Sequence, residues 1–232
     1  KKKIIAIIPA RSGSKGIKNK NLKKINNISL VGHAIECLKK IKEIDYIHIS
    51  TDGKKICKEA KKYNLKPLFY RPNYLSGPKT SDLEVIEFVL KKLEYNLKIK
   101  FDIILLVQPT SPLRIKHDII KCINLLITSK SDSVWSLSEL DLKYHPLKQI
   151  KVDKNRLDYF DPKGKNVSAR QYLNRVFYRN GICYAITRHS ILNLKSLKGR
   201  ISTPYIVKRK IIDIDTPQDI LEAKLLMKKK NI

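Results

Sequence analysis

The sequence predicts an α/β fold in which a mostly parallel β-sheet is flanked by helices. Short apolar runs rich in β-branched residues alternate along the chain with segments of helical periodicity, which is typical of βαβ units. One of these runs, Ile103–Val107, is almost wholly apolar, as expected for a central parallel strand that is covered on both faces. The chain has 232 residues, 42% of them hydrophobic, which is enough for one domain with a substantial core.

The predicted elements follow this alternation from the first residues to the last. The predicted strands are Ile4–Ile8, Tyr46–Ser50, Pro67–Tyr70, Ile103–Val107, Ser133–Ser136, Ile182–Ile186 and Ile211–Ile214. The predicted helices are Leu30–Ile41, Asp52–Tyr63, Ser81–Leu93, Ile115–Thr128 and Pro217–Lys229. Residues that favour helix starts support them: Thr51 or Asp52, Ser81 or Asp82, and Thr216 followed by Pro217.

The alternation stops between residues 140 and 177, where the chain becomes polar and rich in turn residues. Two short alternating pieces, Gln149–Val152 and Arg156–Tyr159, flank the turn residues Asp153–Asn155. This pattern is typical of a hairpin rather than of another βαβ unit. We therefore expect a single domain over residues 1–232, with residues 140–177 as an inserted arm that is too polar to form its own core.

The net charge is the most unusual feature of the composition. Lys and Arg number 49 against 21 Asp and Glu, which gives +28 at pH 7 and first suggests a nucleic acid or an anionic membrane as partner. However, 39 of these residues are Lys spread along the chain, mostly at positions predicted on exposed helix faces. No nucleic-acid-binding motif is present, and no apolar run approaches the ~18 residues that span a bilayer. We expect neither a nucleic-acid partner nor a membrane partner, but attraction of small phosphorylated ligands.

The cysteines and histidines predict neither a disulfide nor a zinc site. Cys37, Cys57, Cys122 and Cys183 are far apart in the sequence, and the five histidines are equally scattered. The apolar run Ile4–Ile8 follows three lysines but is too short for the core of a signal peptide. We therefore expect a cytoplasmic protein with reduced cysteines.

The loop after the first strand, Pro9–Asn21, combines small residues with positive charge. Its glycines let the backbone approach a ligand closely, and successive N–H groups can bind an anion. Arg11, Lys15 and Lys20 supply the charge, and residues 1–24 include no acid. The spacings are those of neither a P-loop nor a dinucleotide-binding turn. The pattern favours phosphate binding at the carboxyl end of the strand, the alternative being a flexible basic loop.

Two carboxylates, Asp213 and Asp215, lie two residues apart near the end of the chain. On an extended segment they would project from the same face. Like charges repel unless a cation binds between them, and Mg²⁺ prefers such oxygen ligands beside substrate phosphates. The pair therefore indicates a magnesium site, the alternative being that Asp215 or Thr216 caps the last helix.

Two further segments could recognise a substrate. Gln108–Arg114 follows the apolar strand, and its two prolines stiffen a turn that would hold the Gln108 amide at the strand end. The alternative is a rigid turn without a ligand. In the arm, three of the ten arginines fall within residues 170–179, and arginine pairs bidentately with carboxylates and phosphates. The alternative there is surface charge on a loop.

These motifs occur in an order that is itself informative. They are Ala10–Gly16, Lys20-Asn21, Ser50-Thr51-Asp52, Arg71-Pro72-x-x-Leu75, Gln108–Arg114, His145–Lys148, Asn180-Gly181 and Ile212–Thr216. In this order and with this spacing, the chain resembles the acylneuraminate cytidylyltransferases, the CMP-sialic acid synthetase family, over essentially its whole length.

The resemblance implies a Rossmann-like, mostly parallel sheet of the nucleotide-diphospho-sugar transferase type, with one nucleotidyltransferase domain over residues 1–232. It also implies a reaction of glycan biosynthesis. In that reaction CMP passes from CTP to the anomeric hydroxyl of a sialic-acid-like nonulosonic acid, with release of pyrophosphate and with Mg²⁺ as cofactor. A legionaminic, pseudaminic or eight-carbon keto sugar acid is the alternative acceptor. A basic nucleic-acid-binding protein and a non-catalytic sugar-nucleotide sensor are the alternatives from other classes.

By motif match, the resemblance implies roles for individual residues. The nucleotide-binding set is Ala10, Arg11, Ser14, Lys15, Lys20, Asn21, Arg71 and Ser81. The sugar-acid-binding set is Gln108, Lys148, Arg170 and Arg179, with Arg175 as the alternative to Arg179. The metal ligands are Asp213 and Asp215, which form the catalytic set together with Arg11 and Lys20. In the family the arm carries Lys148 and Arg170 to a partner subunit, so a homodimer is expected.

Overall fold

The computed structural model describes residues 1–14, 16–167, 169, 171 and 173–229. The strands in this part of the chain are β1 (Ile4–Pro9), β2 (Lys24–Ile25), β3 (Ile28–Ser29), β4 (Tyr46–Ser50), β5 (Ile103–Leu106), β6 (Ser133–Glu139), β7 (Ile150–Asp153), β8 (Arg156–Tyr159), β9 (Phe177–Thr187) and β10 (Ser202–Ile206). The helices are α1 (Leu30–Lys39), α2 (Lys54–Lys61), α3 (Asp82–Leu97), α4 (Lys116–Ser129), α5 (Arg188–Leu192) and α6 (Pro217–Lys229).

One mixed sheet organises the fold. Its strand order is β10-β6-β9-β5-β1-β4. The pairs β1–β4, β1–β5 and β10–β6 are parallel, whereas β9 runs antiparallel to both of its neighbours, β5 and β6. The expected α/β fold with a mostly parallel sheet is confirmed. The carboxyl ends of β1, β4 and β5 lie side by side, which is where sheets of this kind bind ligands.

Helices cover both faces of the sheet, and an apolar core fills each interface. One core packs α1, α2, α4 and α6 on one face, and the other packs α3 and α5 on the opposite face. β5 lies between the two cores, so all four of its residues are buried, as its unbroken apolar sequence predicts. None of the helices described by the structure is long and apolar enough to cross a membrane.

The helix starts show how local chemistry supports the elements. Ser29 accepts a hydrogen bond from the Gly32 N–H at 3.0 Å and caps α1. Ser81 caps α3 in a reciprocal arrangement with Glu84, whose carboxylate accepts from the Ser81 N–H at 2.8 Å. The predicted start of α6 at Pro217 is confirmed.

Two predicted strands are wrong. Pro67–Tyr70 is irregular backbone beyond the edge strand β4, and the next backbone contact to that edge is made by the Arg71 N–H, which donates to Thr51 O at 2.8 Å. Ile211–Ile214 is also irregular, because its backbone bonds across to the turn after β5, where Ile214 N–H donates to Thr110 O at 2.8 Å. Conversely, β10 was not predicted, since Pro204 interrupts its pattern; proline is tolerated there because β10 is an edge strand.

Residues 140–177 contain a small separate sheet. Strands β7 and β8 pair antiparallel, with Ile150 opposite Tyr159 and Asp153 opposite Arg156. Every residue of both strands is exposed, including apolar side chains such as Val152 and Leu157. The segment thus contains the hairpin that its sequence predicts, and its apolar residues lack a covering layer among the residues that the structure describes.

Candidate active site

A cavity of about 450 Å³ opens at the carboxyl ends of β1 and β5. Eight of the predicted site residues line it: Arg11, Ser14, Lys20, Asn21, Arg71, Gln108, Asp213 and Asp215. They come from four separate parts of the sequence: the loop after β1, the segment at Arg71, the turn after β5 and the irregular segment before α6. Residues that were predicted from separate motifs therefore line a single cavity.

The loop after β1 is held in place by its neighbours. Asp52, which follows β4, accepts from the Ser12 N–H at 2.8 Å and from the Ser12 hydroxyl at 2.6 Å. The Asn21 amide donates to Arg11 O at 3.0 Å and closes the loop from its other end. Burial alone would raise the pKa of Asp52, but the hydrogen bonds from Ser12 outweigh it and the pKa lies below its usual range. The ionised carboxylate thus anchors the loop at neutral pH.

Two arginines place positive charge on the walls of the cavity. Arg71 is buried and donates to both oxygens of Ser50, at 3.0 Å to Oγ and 2.7 Å to the carbonyl. Burial lowers the pKa of Arg71 to about 10, so the guanidinium stays charged at neutral pH. Arg11 donates to Gly77 O at 2.9 Å, which draws the segment after Leu75 over the cavity.

The same cavity is lined by two carboxylates, Asp213 and Asp215. Asp215 is exposed and pairs with the Lys20 ammonium at 2.8 Å. Asp213 is mostly buried, and its Oδ1 has no hydrogen-bond partner among the described residues. Burial raises the pKa of Asp213 above its usual range, and repulsion from Asp215 adds to the effect, whereas Thr110 and Lys20 oppose it. A buried carboxylate oxygen without a partner, next to a second carboxylate, is a position that a cation would stabilise.

The donor set fits Mg²⁺, the metal that the resemblance implies. Carboxylate oxygens are the hard ligands that Mg²⁺ takes, and it commonly uses one or two of them together with water and substrate phosphates. Within the described residues, no group of three or more His, Cys, Asp or Glu side chains could hold a metal ion. Asp213 and Asp215 would therefore supply the protein's ligands, and the phosphates and water would supply the rest.

Gln108 lies at the base of the cavity beside a residue that the sequence analysis missed. Its side-chain N–H donates to the Asp82 carboxylate at 3.4 Å, and both residues line the cavity. Asp82 was considered only as an alternative to Ser81 for capping α3. The capping pattern gave no signal for this role, which depends on the contact between Asp82 and Gln108 across the cavity.

The remaining predicted site residues that the structure describes do not line the cavity. Ala10 is buried and its N–H donates to Ser50 O at 2.9 Å, while Ser81 caps α3 and its hydroxyl donates to Glu84 at 2.7 Å. Lys148 is exposed on the arm and does not line the cavity. Lys15 and Arg170 fall outside the described residues.

The two alternative arginines differ in their surroundings. Arg175 forms a bidentate pair with Glu139, at 2.8 and 2.7 Å, on the wall of a second groove. Arg179 lies with its guanidinium 5.7 Å from the centre of the Trp135 ring and lines neither the cavity nor the groove. In this chain Arg175 is therefore nearer to a space that a substrate could occupy.

The second groove is a broad extension of the site. It has a volume of about 1050 Å³ and shares Asp213 with the first cavity. Its walls come from the end of β6, the beginning of the arm and the segment between β10 and α6, and they include Tyr144, Arg175, Tyr178 and Lys208. A molecule at the two carboxylates could thus extend from the cavity into the groove.

Comparison with known protein sequences connects this site to a family. The sequence model of the family described as cytidylyltransferase matches residues 5–225. Post-translational flagellin modification protein B of Campylobacter coli is 29% identical over 231 residues, which cover 99% of this chain and 97% of that protein. CMP-N,N'-diacetyllegionaminic acid synthase of Legionella pneumophila is 28% identical over 228 residues, which cover 97% and 96%. N-acylneuraminate cytidylyltransferase of Escherichia coli is 30% identical over 231 residues, which cover 99% of this chain but 53% of that protein.

Solved structures share the fold over the whole chain. The structure of CMP:2-keto-3-deoxy-manno-octonic acid synthetase complexed with CTP superposes with a TM-score of 0.75 at 17% identity, covering 98% of this chain and 99% of the other. The 4-diphosphocytidyl-2C-methyl-D-erythritol synthase of Anaerococcus prevotii gives a TM-score of 0.64, also at 17% identity, covering 98% and 96%. At these identities the similarity establishes the nucleotidyltransferase fold. Since the family match spans nearly the whole sequence, the chain belongs to the cytidylyltransferase family and is a nucleotidyltransferase.

Proposed function

We propose that the enzyme transfers CMP from CTP to the anomeric hydroxyl of a nonulosonic acid and releases pyrophosphate, with Mg²⁺ as cofactor. The observation that carries the proposal is the cavity in which cations face a carboxylate pair. Arg11, Lys20 and Arg71 line it together with Asp213 and Asp215. Such a site can hold a nucleoside triphosphate between fixed positive charge and a bound cation.

In this reaction the sugar hydroxyl oxygen forms a bond to the α-phosphorus while the bond to the β-phosphate oxygen breaks. The hydroxyl loses its proton, and the pyrophosphate leaves in line with the attack. Positioning of the two reactants and neutralisation of charge supply most of the catalysis in transfers of this kind. The protein therefore needs positively charged groups at the phosphates and rigidly held residues that position the acceptor.

The residues of the first loop suit the phosphates. The anchored loop places Arg11, Ser14 and Lys20 along one wall, and the buried Arg71 adds charge without moving. Lys20 also pairs with Asp215, so one ammonium connects the phosphate side with the carboxylate side. These groups would bind the triphosphate and stabilise the charge that develops on the leaving pyrophosphate.

Asp213 and Asp215 would hold Mg²⁺. When bound, the ion would neutralise phosphate charge and help to orient the reacting groups. The partnerless Oδ1 of Asp213 and the repulsion between the carboxylates support this assignment. Thr110, whose backbone bonds to Ile214, keeps the carboxylate segment next to the turn that carries Gln108.

The acceptor would lie between Gln108 and the second groove. Gln108 offers an amide to sugar hydroxyls or to the carboxylate, and the groove leaves room for the side chain and the acyl substituents of a nine-carbon acid. Relatives with nearly equal identity are named for sialic and legionaminic acids, and a pseudaminic acid cytidylyltransferase of Campylobacter jejuni is 28% identical. We therefore propose a nonulosonic acid as acceptor, and the panel of acceptors below identifies its substituents.

We further propose that the enzyme is a homodimer in which the arm of each subunit reaches the site of the other. Val152 and Leu157 are 74% and 76% exposed on a two-stranded hairpin, and such a hairpin is marginally stable alone. A second subunit would bury this apolar surface. Lys148, which lies on the same arm and does not line its own cavity, would then face the partner's acceptor.

The test is a transfer assay with a panel of acceptors. The enzyme, CTP and Mg²⁺ are incubated with sialic, legionaminic, pseudaminic and eight-carbon keto acids, and pyrophosphate and the CMP-sugar are quantified. We expect release of pyrophosphate with at least one nonulosonic acid, and much less with UTP, ATP or GTP. No product from any acceptor, with the protein folded by circular dichroism, would refute the proposal.

A parallel binding assay covers the alternative that the high charge raises. Duplex and single-stranded DNA are titrated with the protein at about 150 mM salt, where most nonspecific binding is weak. We expect binding that disappears with salt. Tight binding at that salt, together with no transfer of CMP, would favour a nucleic-acid-binding protein instead.

A further inference from the structure

Arg114 ends the turn after β5 and is buried, although a guanidinium carries a full charge. Within the described residues it forms no salt bridge, and its Nη1 has no hydrogen-bond partner. Burial disfavours the charged form and lowers the pKa of Arg114 below its ordinary value. A buried cation without a paired carboxylate is costly, so a fold retains it where its donors perform a task that an apolar residue cannot.

The donors of Arg114 hold three backbone carbonyls together. Nε donates to Ile182 O at 2.6 Å, and Nη2 donates to Gly181 O at 3.0 Å and also to Gln108 O. Gln108 belongs to the turn after β5, whereas Gly181 and Ile182 belong to β9, which runs antiparallel to β5. One side chain thus connects the two strands at the point where both reach the candidate acceptor site.

The segments that Arg114 holds are packed tightly against each other. Gly181 has a φ of +67°, and a Cβ at this position would lie 2.8 Å from the Gln108 side-chain oxygen and 2.5 Å from the Ser111 hydroxyl. That hydroxyl donates to Asn180 O at 2.6 Å, and the Gln108 N–H donates to Gly181 O at 3.3 Å. The backbone around Gly181 therefore restricts the position of the Gln108 side chain.

We propose that Arg114 is a positioning residue that holds Gln108 and the turn at Gly181 in the geometry that binds the acceptor. The proposal rests on the proposed function, in which Gln108 contacts the sugar acid. The planar fork of a guanidinium can donate to several carbonyls at once, whereas a lysine ammonium is a compact charge on a flexible stem. The position of Gln108 therefore requires the guanidinium group of Arg114 and not only its positive charge. Loss of the guanidinium makes the backbone at Gln108 and Gly181 more mobile, whereas the residues that bind the nucleotide keep their positions.

The experiment compares Arg114→Lys with Arg188→Lys. Arg188 is a matched control, because it pairs bidentately with Glu94 at 2.9 Å for both bonds and lies at the other end of the sheet, beside the start of β5. We expect Arg114→Lys to raise KM for the acceptor about tenfold or more, with KM for CTP within about twofold, since only one wall is affected. Arg188→Lys should change neither KM, even where it lowers the melting temperature. Equal changes in both KM values for Arg114→Lys, or no change in either, would overturn the proposal.

A second readout does not depend on turnover. Amide hydrogen exchange of Gln108, Gly181 and Ile182 is measured in the wild type and in both lysine variants, and Arg114→Met is the substitute if Arg114→Lys fails to fold. We expect about tenfold faster exchange at these amides in the Arg114 variant alone, because the fork no longer joins the two strands. Unchanged exchange refutes the positioning role. Faster exchange in the Arg114 variant, together with a wild type that transfers no CMP to any acceptor, would instead refute the proposed function and leave the structural part of the inference standing.

Discussion

Asp213, which we propose as a metal ligand, lies in surroundings that disfavour its charged form. Its carboxylate is mostly buried, lies close to a second carboxylate and leaves Oδ1 without a partner among the described residues. In an empty site this arrangement is unfavourable, since burial and repulsion both disfavour the charged form. A bound cation removes both penalties, so ligand binding and stability should be coupled at this residue.

The coupling predicts the behaviour of Asp213→Asn. The amide has nearly the same shape but no charge, so the variant without ligands should melt at the same temperature as the wild type or higher. Mg²⁺ with CTP should raise the melting temperature of the wild type but not that of the variant. Turnover should fall about 100-fold or more, the usual size of losing a preorganised charge at the reacting group. Calorimetry and the pyrophosphate assay check both statements, and a variant that Mg²⁺ still stabilises would contradict the metal assignment.

His48 predicts a dependence of stability on pH that does not involve the site. It is buried in β4, and both ring nitrogens lack a partner among the described residues. Burial lowers the pKa of His48 from 6.5 to about 4, and nearby Arg71 adds to the effect. Below pH 6.5 the unfolded chain binds a proton that the folded chain cannot, so the free energy of unfolding should decrease as the pH falls toward 4. The decrease should reach roughly 3 kcal/mol.

Urea denaturation of the wild type and His48→Phe between pH 7 and pH 4.5 tests this prediction. A phenyl ring can stack on Phe69 as the imidazole does, with ring centres 4.7 Å apart in the wild type, but it takes no proton. The variant should lose the part of the pH dependence that His48 contributes. It should keep the parts from His33, whose pKa burial also lowers, and from Glu59, Glu87 and Glu94, whose pKa values hydrogen bonds hold below their usual range. Equal slopes in the two proteins would show that His48 is not responsible.

At the scale of elements, the loop after β1 packs closely against the backbone of the segment that contains Asp215. A Cβ on Gly16 would lie 3.1 Å from Asp215 O, whereas a Cβ on Gly13 would meet nothing within 4 Å. A backbone carbonyl cannot rotate away as a side chain can. Gly16→Ala should therefore displace the Asp215 segment by a few tenths of an ångström and disturb the contact between Lys20 and Asp215.

Gly13→Ala is the matched control, since the same methyl group is added to the same loop in open space. We expect kcat/KM for CTP to fall about tenfold in Gly16→Ala and to stay within about twofold in Gly13→Ala. Steady-state kinetics with saturating acceptor measures both. Similar losses in the two variants would indicate that the loop responds to any added side chain, and not to its contact with Asp215.

The elements were predictable where local pattern and burial agree. The strand β5 and the starts of α3 and α6 are determined by residues that are close together in the sequence. Pro67–Tyr70 has the composition of a strand, but a strand also needs a neighbour, and this segment lies beyond the edge of the sheet. Ile211–Ile214 fails for a related reason, because its backbone bonds to the turn at Thr110.

The site was predictable as a set of motifs but not as a geometry. The eight predicted residues that line the cavity belong to recognisable motifs, although those at Arg71 and at Asp213 and Asp215 lie on irregular backbone. Asp82 was missed because its place after a helix cap has an ordinary local explanation. The roles of Arg114 and of the turn at Gly181 depend on contacts across β5 and β9, which local sequence does not contain. Long-range backbone contacts are thus the part that only the structure shows.

At the scale of the whole molecule, the arm presents an apolar surface that the described residues leave uncovered. The hairpin of β7 and β8 exposes Ile150, Val152 and Leu157, and the arm also carries Lys148. Burial of this surface against a second copy would stabilise both arms and place Lys148 near the other subunit's site. In a symmetric dimer each site would combine the core of one chain with the arm of the other.

This arrangement predicts recovery of activity from two inactive variants. Asp213→Asn has a defective core and an intact arm, whereas Lys148→Ala has an intact core and a defective arm. Subunits that are mixed, unfolded and refolded together should form mixed dimers in which one of the two sites has all its parts. Random pairing makes half of the dimers mixed, so the mixture should regain about a quarter of the wild-type activity.

The control for this recovery is a mixture of Asp213→Asn with a chain that carries both changes. No combination of these two chains contains an intact core, so no activity should return. Sedimentation of each preparation shows whether dimers have formed, and Val152→Glu with Leu157→Glu should shift the wild type toward monomer by placing charge on the apolar hairpin. Dimers of the first mixture that stay inactive would show that Lys148 does not act across the interface. Full activity of a monomeric protein would show that one chain completes its own site.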